Sequence, residues 1–520
     1  MEVEIQSMSK ILLDHVRAKG VRLWNEGGQL RFTARRGLLS PDELQQLKAF
    51  KGQILALLQD SGSEEDLNGS PLVQTRQGSR LAPLTYTQQA DWQFVELGEL
   101  RRMRQVASAI RIDGPLRAET LAAGLAQVVR RHTALRTHTK RPDGRLMQEI
   151  DEIGTLHLEL YDFSDCSERS ARESEITRLI NTTILASADE IETAPCAVRL
   201  SRCAPEEHVL IVAMDHMISD AYSMNVLLQE LFAAYAQCAA GEAASLPEIS
   251  LQFADFAREQ QAARADWEQT HLPYWNKRLA SASRLKFPHI CGELRSADAG
   301  WTDVPVQIYR ATKLALLEWS RLMQTTLVMS VLTAFIASVM QWCQRSDAVV
   351  QFQTDGRTDR RLTNTIGYFA SVLHLRIMLS DTDTFVDLLR TVTEEYCRAY
   401  EHADASYLSA QVPRPELTRS TMFNWVPESN QPDPAHLDVG SARLHSQVYA
   451  FKNPALEHFG FDRDPVLQLF DGGDEVSGAV FFPLRFCSVP DMERFARHFM
   501  MVLDRMIARP RQRVSAIQFA

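Results

Sequence analysis

Long hydrophobic runs are missing from this 520-residue chain. No stretch approaches the roughly 18 apolar residues a membrane-spanning helix needs, so none is predicted. The first ten residues, MEVEIQSMSK, are acidic and polar, which is wrong for a secretory signal. Cysteine is sparse: eight residues, at 166, 196, 203, 238, 291, 343, 397 and 487, with no C-x-x-C pair. That scatter suits reduced thiols in a cytoplasm, builds neither a disulfide framework nor a zinc site, and implies no metal. A basic surplus is lacking too. The formal charge is −10, which argues against nucleic acid as the main partner. What remains, 45% hydrophobic and 23% charged residues, is ordinary for a globular protein. The length exceeds one core and predicts two or three domains.

The most informative stretch is Val209–Ser223, VLIVAMDHMISDAYS. Val209 to Met214 is an unbroken apolar run ending in a polar turn, the pattern of a buried strand. From Tyr222 to Tyr235, apolar residues recur at helical spacing (Met224, Leu227, Leu228, Leu231, Ala234, Tyr235). His216 thus falls where a strand ends and a helix begins. A partly dry imidazole can act there as a base, and free helical N–H groups can face developing negative charge. A lone histidine at such a place is more often packed than catalytic, and an H-x-x-x-D pair by itself is common.

The first sixty residues read as a unit of their own. Ile11, Leu12, Leu13 and Val16 predict a short helix that Gly20 stops. Val21–Trp24, the turn Asn25–Gly28 and Leu30–Thr33 predict a β-hairpin. Ser40, Pro41 and Glu43 form a capping-box start for a second helix with the stripe Leu44, Leu47, Phe50, Ile54 and Leu57. Between Lys10 and Lys51, nine Lys/Arg face four carboxylates, so the basic character is local. Asp60 to Ser79, rich in Ser, Gly and acid, reads as a linker.

Beyond it, short fragments follow in a telling order: LTYTQQADW (84–92), RHTALRT (131–137), MDHMISDAYS (214–223), FADFA (253–257), Tyr274-Trp275, IGYFASVLHLR (366–376) and EHAD (401–404), with MFNW (422–425) a looser match. MDHMISDAYS resembles the HHxxxDG signature of the condensation domains of nonribosomal peptide synthetases, which belong to the chloramphenicol acetyltransferase-like superfamily. Asp215 stands where that signature has its first histidine, and Ala221 where it has glycine. The other fragments resemble the same family's further motifs, from about Arg80 to Arg509. The helix–hairpin–helix order in front resembles the β-hairpin docking domains of assembly-line enzymes.

The resemblance implies an α/β fold: two lobes in a V around a central tunnel, preceded by a small α+β docking domain. The expected division is 1–59 docking domain, 60–79 linker, 80–265 first lobe and 266–520 second lobe. It implies acyl transfer from a phosphopantetheine thioester on a partner carrier protein, with no cofactor of the chain's own. His216 is the catalytic candidate. The resemblance makes Asp220 structural, paired with an arginine of the second lobe for which Arg357 is the candidate; without that partner a buried carboxylate would cost several kcal/mol. Asp215 either orders the turn or replaces a histidine without a chemical part. The Ala221 methyl narrows the tunnel or restricts the turn.

Arg22, Arg31, Arg35, Arg36, Lys48 and Lys51 are candidates for seating the acidic C-terminal tail of an upstream carrier subunit. With no adenylation motif and no G-x-[DH]-S carrier site, a freestanding monomeric enzyme acting on a small-molecule acceptor is expected. The layout is most similar to the chain-releasing condensation enzymes of enacyloxin-type polyketide assembly, which favours an ester, with an amide left open. Two other readings are a coenzyme-A-dependent acyltransferase and a non-catalytic recruitment module. The former carries D-F-G-W-G, to which Glu457–Asp462 is only a partial match; the latter usually loses the histidine.

Overall fold

A computed structural model describes residues 22–26, 29–33, 51, 52, 54, 80–96, 105–154, 156–166, 168–189, 195–242, 244–289, 292, 300–403, 417, 419–427, 436–439, 442–448 and 463–516. The helices expected before Gly20 and after Ser40, the linker, Arg35, Arg36, Lys48, Asp404 and the stretch Glu457–Asp462 lie outside the described residues, save that Lys51, Gly52 and Ile54 are helical. The chain divides into two compact units, Met1–Gln77 and Gly78–Ala520.

In the first unit, β1 (Arg22–Glu26) and β2 (Gln29–Thr33) pair antiparallel. The pairing runs on to Glu26 opposite Gln29, so Asn25 and Glu26, expected in the turn, belong to the strand. Register sets Arg31 opposite Trp24 and Arg22 opposite Thr33.

The large unit opens with β3 (Leu81–Pro83), α1 (Tyr86–Glu96), β4 (Gln105–Asp113), α2 (Ala118–Arg131), β5 (Thr137–Lys140) and β6 (Met147–Ile150). Next come β7 (Leu158–Asp162), α3 (Arg169–Asp189), β8 (Cys196–Ala204), β9 (Glu207–Asp215), α4 (Ala221–Ala239), α5 (Phe253–Ala262) and α6 (Arg264–Leu279). Its second half holds β10 (Trp301–Ile308), α7 (Arg310–Leu322), α8 (Leu327–Trp342), β11 (Asp347–Thr354), β12 (Ser371–Met378) and α9 (Phe385–Glu401). It ends with β13 (Met422–Val426), β14 (His436–Val439), β15 (Ala442–Val448), β16 (Val466–Asp471), β17 (Val476–Pro483) and α10 (Val489–Ala508).

Two six-stranded sheets dominate, in the orders β14-β15-β4-β9-β8-β7 and β10-β17-β16-β13-β11-β12, with a small sheet β3-β6-β5. β9 is interior to the first, antiparallel to both β4 and β8. Its alternate residues serve two cores. Leu210, Val212 and Met214 pack with Leu125, Val128, Leu227 and Leu231 of α2 and α4, while Val209 and Ile211 pack with Ile176, Leu179 and Ile180 of α3. A strand covered on both faces has no polar side, which is why its sequence is an unbroken apolar run. Each such side chain contributes about 1.5–3 kcal/mol on burial.

The second sheet is covered by α8 and α10, where Phe335, Trp342, Phe495 and Phe499 meet edge to face at 5.5–6.3 Å. The apolar stretch Leu314–Trp342, expected as one or two helices, is two: α7 and α8, bent by 102°. No single helix among the described residues is long and apolar enough to cross a membrane, and α8 is buried in this core.

A division of the large unit after residue 265 needs correcting at two segments. β14 and β15, from far beyond it, extend the first sheet, with Gln447 opposite Arg111. An open edge at β4 would leave a row of backbone donors and acceptors unpaired, and β15 supplies their partners. The loop after β11 also crosses over: Leu362, Ile366, Tyr368, Phe369 and Ala370 are buried in the core of the first lobe.

Candidate active site

Five residues join β9 to α4, and their turn is built by Asp215. Its N–H donates to the Pro195 carbonyl at 2.8 Å, its Oδ1 accepts from the Met217 N–H at 2.8 Å, and its carbonyl accepts from the Ile218 N–H and the Ser219 hydroxyl. Gln88 of α1 reaches in from the LTYTQQADW fragment and donates to the Met217 carbonyl at 2.6 Å. Asp215, Met217, Ile218, Ser219 and Asp220 are all buried, and His216 alone in this turn is partly exposed. Of the two readings of Asp215, the geometry is that of a turn-ordering residue.

Asp220 caps α4, its Oδ1 accepting from the Ser223 N–H at 2.8 Å, as a carboxylate three residues ahead of an N3 amide should. Its Oδ2 accepts from the N–H groups of Phe369 and Ala370, at 3.0 and 3.1 Å. Arg357 completes the junction. Its Nη2 donates to Asp220 Oδ1 at 3.3 Å and to Ser223 Oγ at 2.9 Å, and its Nη1 to the carbonyls of Leu362 and Thr365 at 2.7 and 2.8 Å. The guanidinium lies 4.3 Å from both the Tyr222 and Phe369 rings. Both charged side chains are dry, 4% and 3% exposed. Asp220, with every oxygen committed, is placed to hold two halves of the fold together. Gly356 is obligatory beside it: its φ is +64°, and a Cβ there would stand 1.7 Å from the Phe369 carbonyl oxygen.

Ala221 opens α4 and is exposed. It is absent from the positive-φ residues, so its backbone does not call for glycine and the methyl does not strain the turn. The N–H groups of Ala221 and Tyr222, in the first turn, find no acceptor among the described residues. They lie at the positive end of the α4 dipole. The Asp220 charge beside them is offset by Arg357.

The His216 ring lies against Tyr368, centroids 4.2 Å apart at 53°. The Tyr368 hydroxyl donates to Asp91 Oδ2 at 2.6 Å. His216 Nδ1 has no hydrogen-bond partner among the described residues. Asp355, next to Gly356, is exposed, yet the protein around it raises its carboxyl above the usual range by desolvation.

The remaining fragments converge by pairs. His132 of RHTALRT is fully buried, bonded to Glu230 of α4 at 2.7 Å and accepting from the Ile366 N–H at 3.4 Å. Burial holds its pKa below the usual value against the pull of Glu230. That role is structural. Phe253 and Phe256 of FADFA meet Phe369 edge to face at 5.1 and 5.2 Å. Trp275 donates to the His402 carbonyl at 2.9 Å, Tyr274 stacks on the His402 ring at 4.1 Å, and His271 and His402 share a 2.8 Å Nδ1–Nδ1 contact. Burial pushes the Cys196 and Cys487 thiols up to about 12, far from nucleophilic.

Sequence reasoning passed over Asp91, Ser223 and Tyr368. The D-x-x-S spacing of a helix cap marks Ser223; no pattern marks the other two.

Residues 79–426 match the family model described as "Condensation domain", and residues 10–60 match "TubC N-terminal docking domain". Enniatin synthetase of Fusarium oxysporum is 30% identical over 338 residues, covering 64% of this chain and 10% of that protein. The bassianolide nonribosomal cyclodepsipeptide synthetase of Beauveria bassiana is 26% identical over 444 residues, covering 83% and 14%. The chain therefore spans a small fraction of these relatives. Among solved structures, the X-domain from teicoplanin biosynthesis superposes with a TM-score of 0.70 at 22% identity, covering 84% of this chain and 97% of that one.

Proposed function

This chain belongs to the condensation-domain family, and we propose that it transfers an acyl chain from a carrier-protein phosphopantetheine thioester to the hydroxyl of a free small acid. The carbon–sulfur bond breaks and a carbon–oxygen bond forms. His216 takes the proton from the attacking hydroxyl and returns it to the departing thiolate. The N–H groups of Ala221 and Tyr222 face the oxyanion of the tetrahedral intermediate. One observation carries this reading: in a turn that is otherwise buried and hydrogen-bonded, His216 alone is partly exposed, directly after β9 and ahead of α4. Asp220 is no catalytic partner for it, because both of its oxygens are engaged elsewhere.

The ester is favoured because one relative is named as a cyclodepsipeptide synthetase, and depsipeptides contain ester links. The docking-domain match supports an upstream synthase subunit as the donor's owner, with Arg22, Arg31, Arg35, Arg36, Lys48 and Lys51 seating its acidic tail. A chain-releasing step of the enacyloxin type, in the cytoplasm, fits this picture.

The test is incubation with acylated carrier protein and a panel of hydroxy acids and amines, read by intact-protein mass spectrometry. Discharge by hydroxy acids supports the ester. Discharge by amines alone assigns an amide-forming enzyme. Discharge by neither, with carrier binding kept, assigns a recruitment module, and turnover of acyl-coenzyme A in preference to acyl-carrier assigns the coenzyme-A reading.

A further inference from the structure

We infer that Tyr368, held by Asp91, is a positioning residue that fixes the ring of His216; this rests on the reading of His216 as the proton-handling group. A catalytic imidazole is ordinarily oriented through its second nitrogen, which donates to a carboxylate or carbonyl. Among the described residues that device is missing. His216 Nδ1 has no partner among the described residues. Neither nearby carboxylate serves: Asp220 is spent on Ser223, Phe369, Ala370 and Arg357, and Asp215 Oδ1 holds the Met217 N–H. Among the described residues, what remains to orient the ring is packing.

The packing surface is Tyr368, whose ring lies 4.2 Å from that of His216. Tyr368 is itself fixed at three points. On one side the Gly367 N–H donates to Ser223 Oγ at 3.1 Å, and on the other the Phe369 N–H donates to Asp220 Oδ2 at 3.0 Å. Both acceptors lie at the start of α4, directly after the turn that carries His216. At its far end the hydroxyl donates to Asp91 Oδ2 at 2.6 Å, from α1, the same helix whose Gln88 holds the Met217 carbonyl. Tyr368 is 7% exposed. A ring pinned at backbone and hydroxyl forms a wall, and an imidazole 4.2 Å from it cannot swing toward that side without collision. Asp91 thus acts on His216 through Tyr368, and one side chain from the second half of the chain aligns the group carried by the first.

The experiment uses the full chain and two readouts: turnover of the acyl-carrier substrate, and the rate at which diethyl pyrocarbonate modifies His216, followed by peptide mass spectrometry. Tyr368→Leu should lower kcat about 100-fold with KM little changed, since a misplacement of about 1 Å costs that much. It should also expose His216 to pyrocarbonate severalfold. Asp91→Leu should act in the same direction more weakly, and Asp91→Asn, which keeps an acceptor for the hydroxyl, should recover most of the loss. In a Tyr368→Phe background, Asp91→Leu should add little, because the bond it breaks is already gone.

Melting temperatures identify any variant that simply fails to fold. For such a variant the milder Tyr368→Phe and Asp91→Asn comparison decides. Folded Tyr368→Leu and Asp91→Leu variants with wild-type kcat and unchanged pyrocarbonate reactivity overturn the inference while His216→Ala is still inactive. Full turnover by His216→Ala overturns the catalytic reading itself, and the inference with it.

Discussion

Asp220 and Arg357, on opposite halves of the large unit, meet at 3.3 Å with both side chains dry. The contact is longer than the 2.8 Å bond from the Ser223 N–H to the same oxygen. Asp220 is thus a junction of several moderate bonds rather than one strong ion pair. Asp220→Ala should strand a buried guanidinium and cost about 3–5 kcal/mol. Arg357→Ala should cost a similar amount, and the double variant less than the sum. Thermal unfolding measures all three. An Asp220→Ala protein with an unchanged melting temperature and lost turnover would assign that carboxylate to the chemistry.

His216→Ala should keep its melting temperature and its binding of the donor carrier, because the ring makes no hydrogen bond through Nδ1 to any described residue. Loss of a proton-handling group predicts a fall in turnover of about 10² to 10⁴. Near-wild-type rates in a discontinuous product assay would remove His216 from the mechanism.

The second sheet predicts acid sensitivity. His374 is buried on β12 beside Gln351, and burial, with the Arg463 charge adding to it, lowers its pKa to about 4. The unfolded imidazole takes up its proton near pH 6.5, the folded one only near 4. The unfolded state therefore binds more protons between those values, and stability is lost as pH falls through that window. The loss is about 2 kcal/mol by pH 5. His374→Gln, which keeps an acceptor for Gln351, should flatten the fall in melting temperature between pH 7 and 5.

The first sixty residues should govern partner choice and leave chemistry alone. Tethering raises the effective donor concentration to roughly millimolar. Deleting Met1 to Gln59 should therefore slow transfer from the cognate carrier at low micromolar protein and spare a small thioester surrogate. Added salt should act in the same selective way, since exposed charge contacts are screened within about 8–10 Å. Changing Arg31, Arg35 and Arg36 to Glu should mimic the deletion. Equal loss with both donors would make this unit a structural part of the enzyme.

Local patterns made the site's frame legible. Val209–Met214 carries the pattern of a buried strand, and the spacing from Met224 to Tyr235 that of an amphipathic helix. The junction between them, carrying His216, followed from those two periodicities. The strand reaches two residues earlier and one later than expected, Glu207–Asp215, and the helix begins one earlier and runs four further, Ala221–Ala239, because backbone hydrogen bonding continues past the residues whose spacing marks the element. The hairpin lengthened for the same reason, taking Asn25 and Glu26 from the expected turn.

What the sequence determined by itself is the set of segments whose neighbours are their own next residues: strand, turn, helix and cap. Only the tertiary structure decided which distant pieces close the site. β15 completes the edge of β4, and Tyr368 and Asp91 converge on His216. Periodicity records which face of an element is buried and is silent on what buries it. A tyrosine in a loop and an aspartate on a helix carry no mark of each other until folding brings them within 2.6 Å.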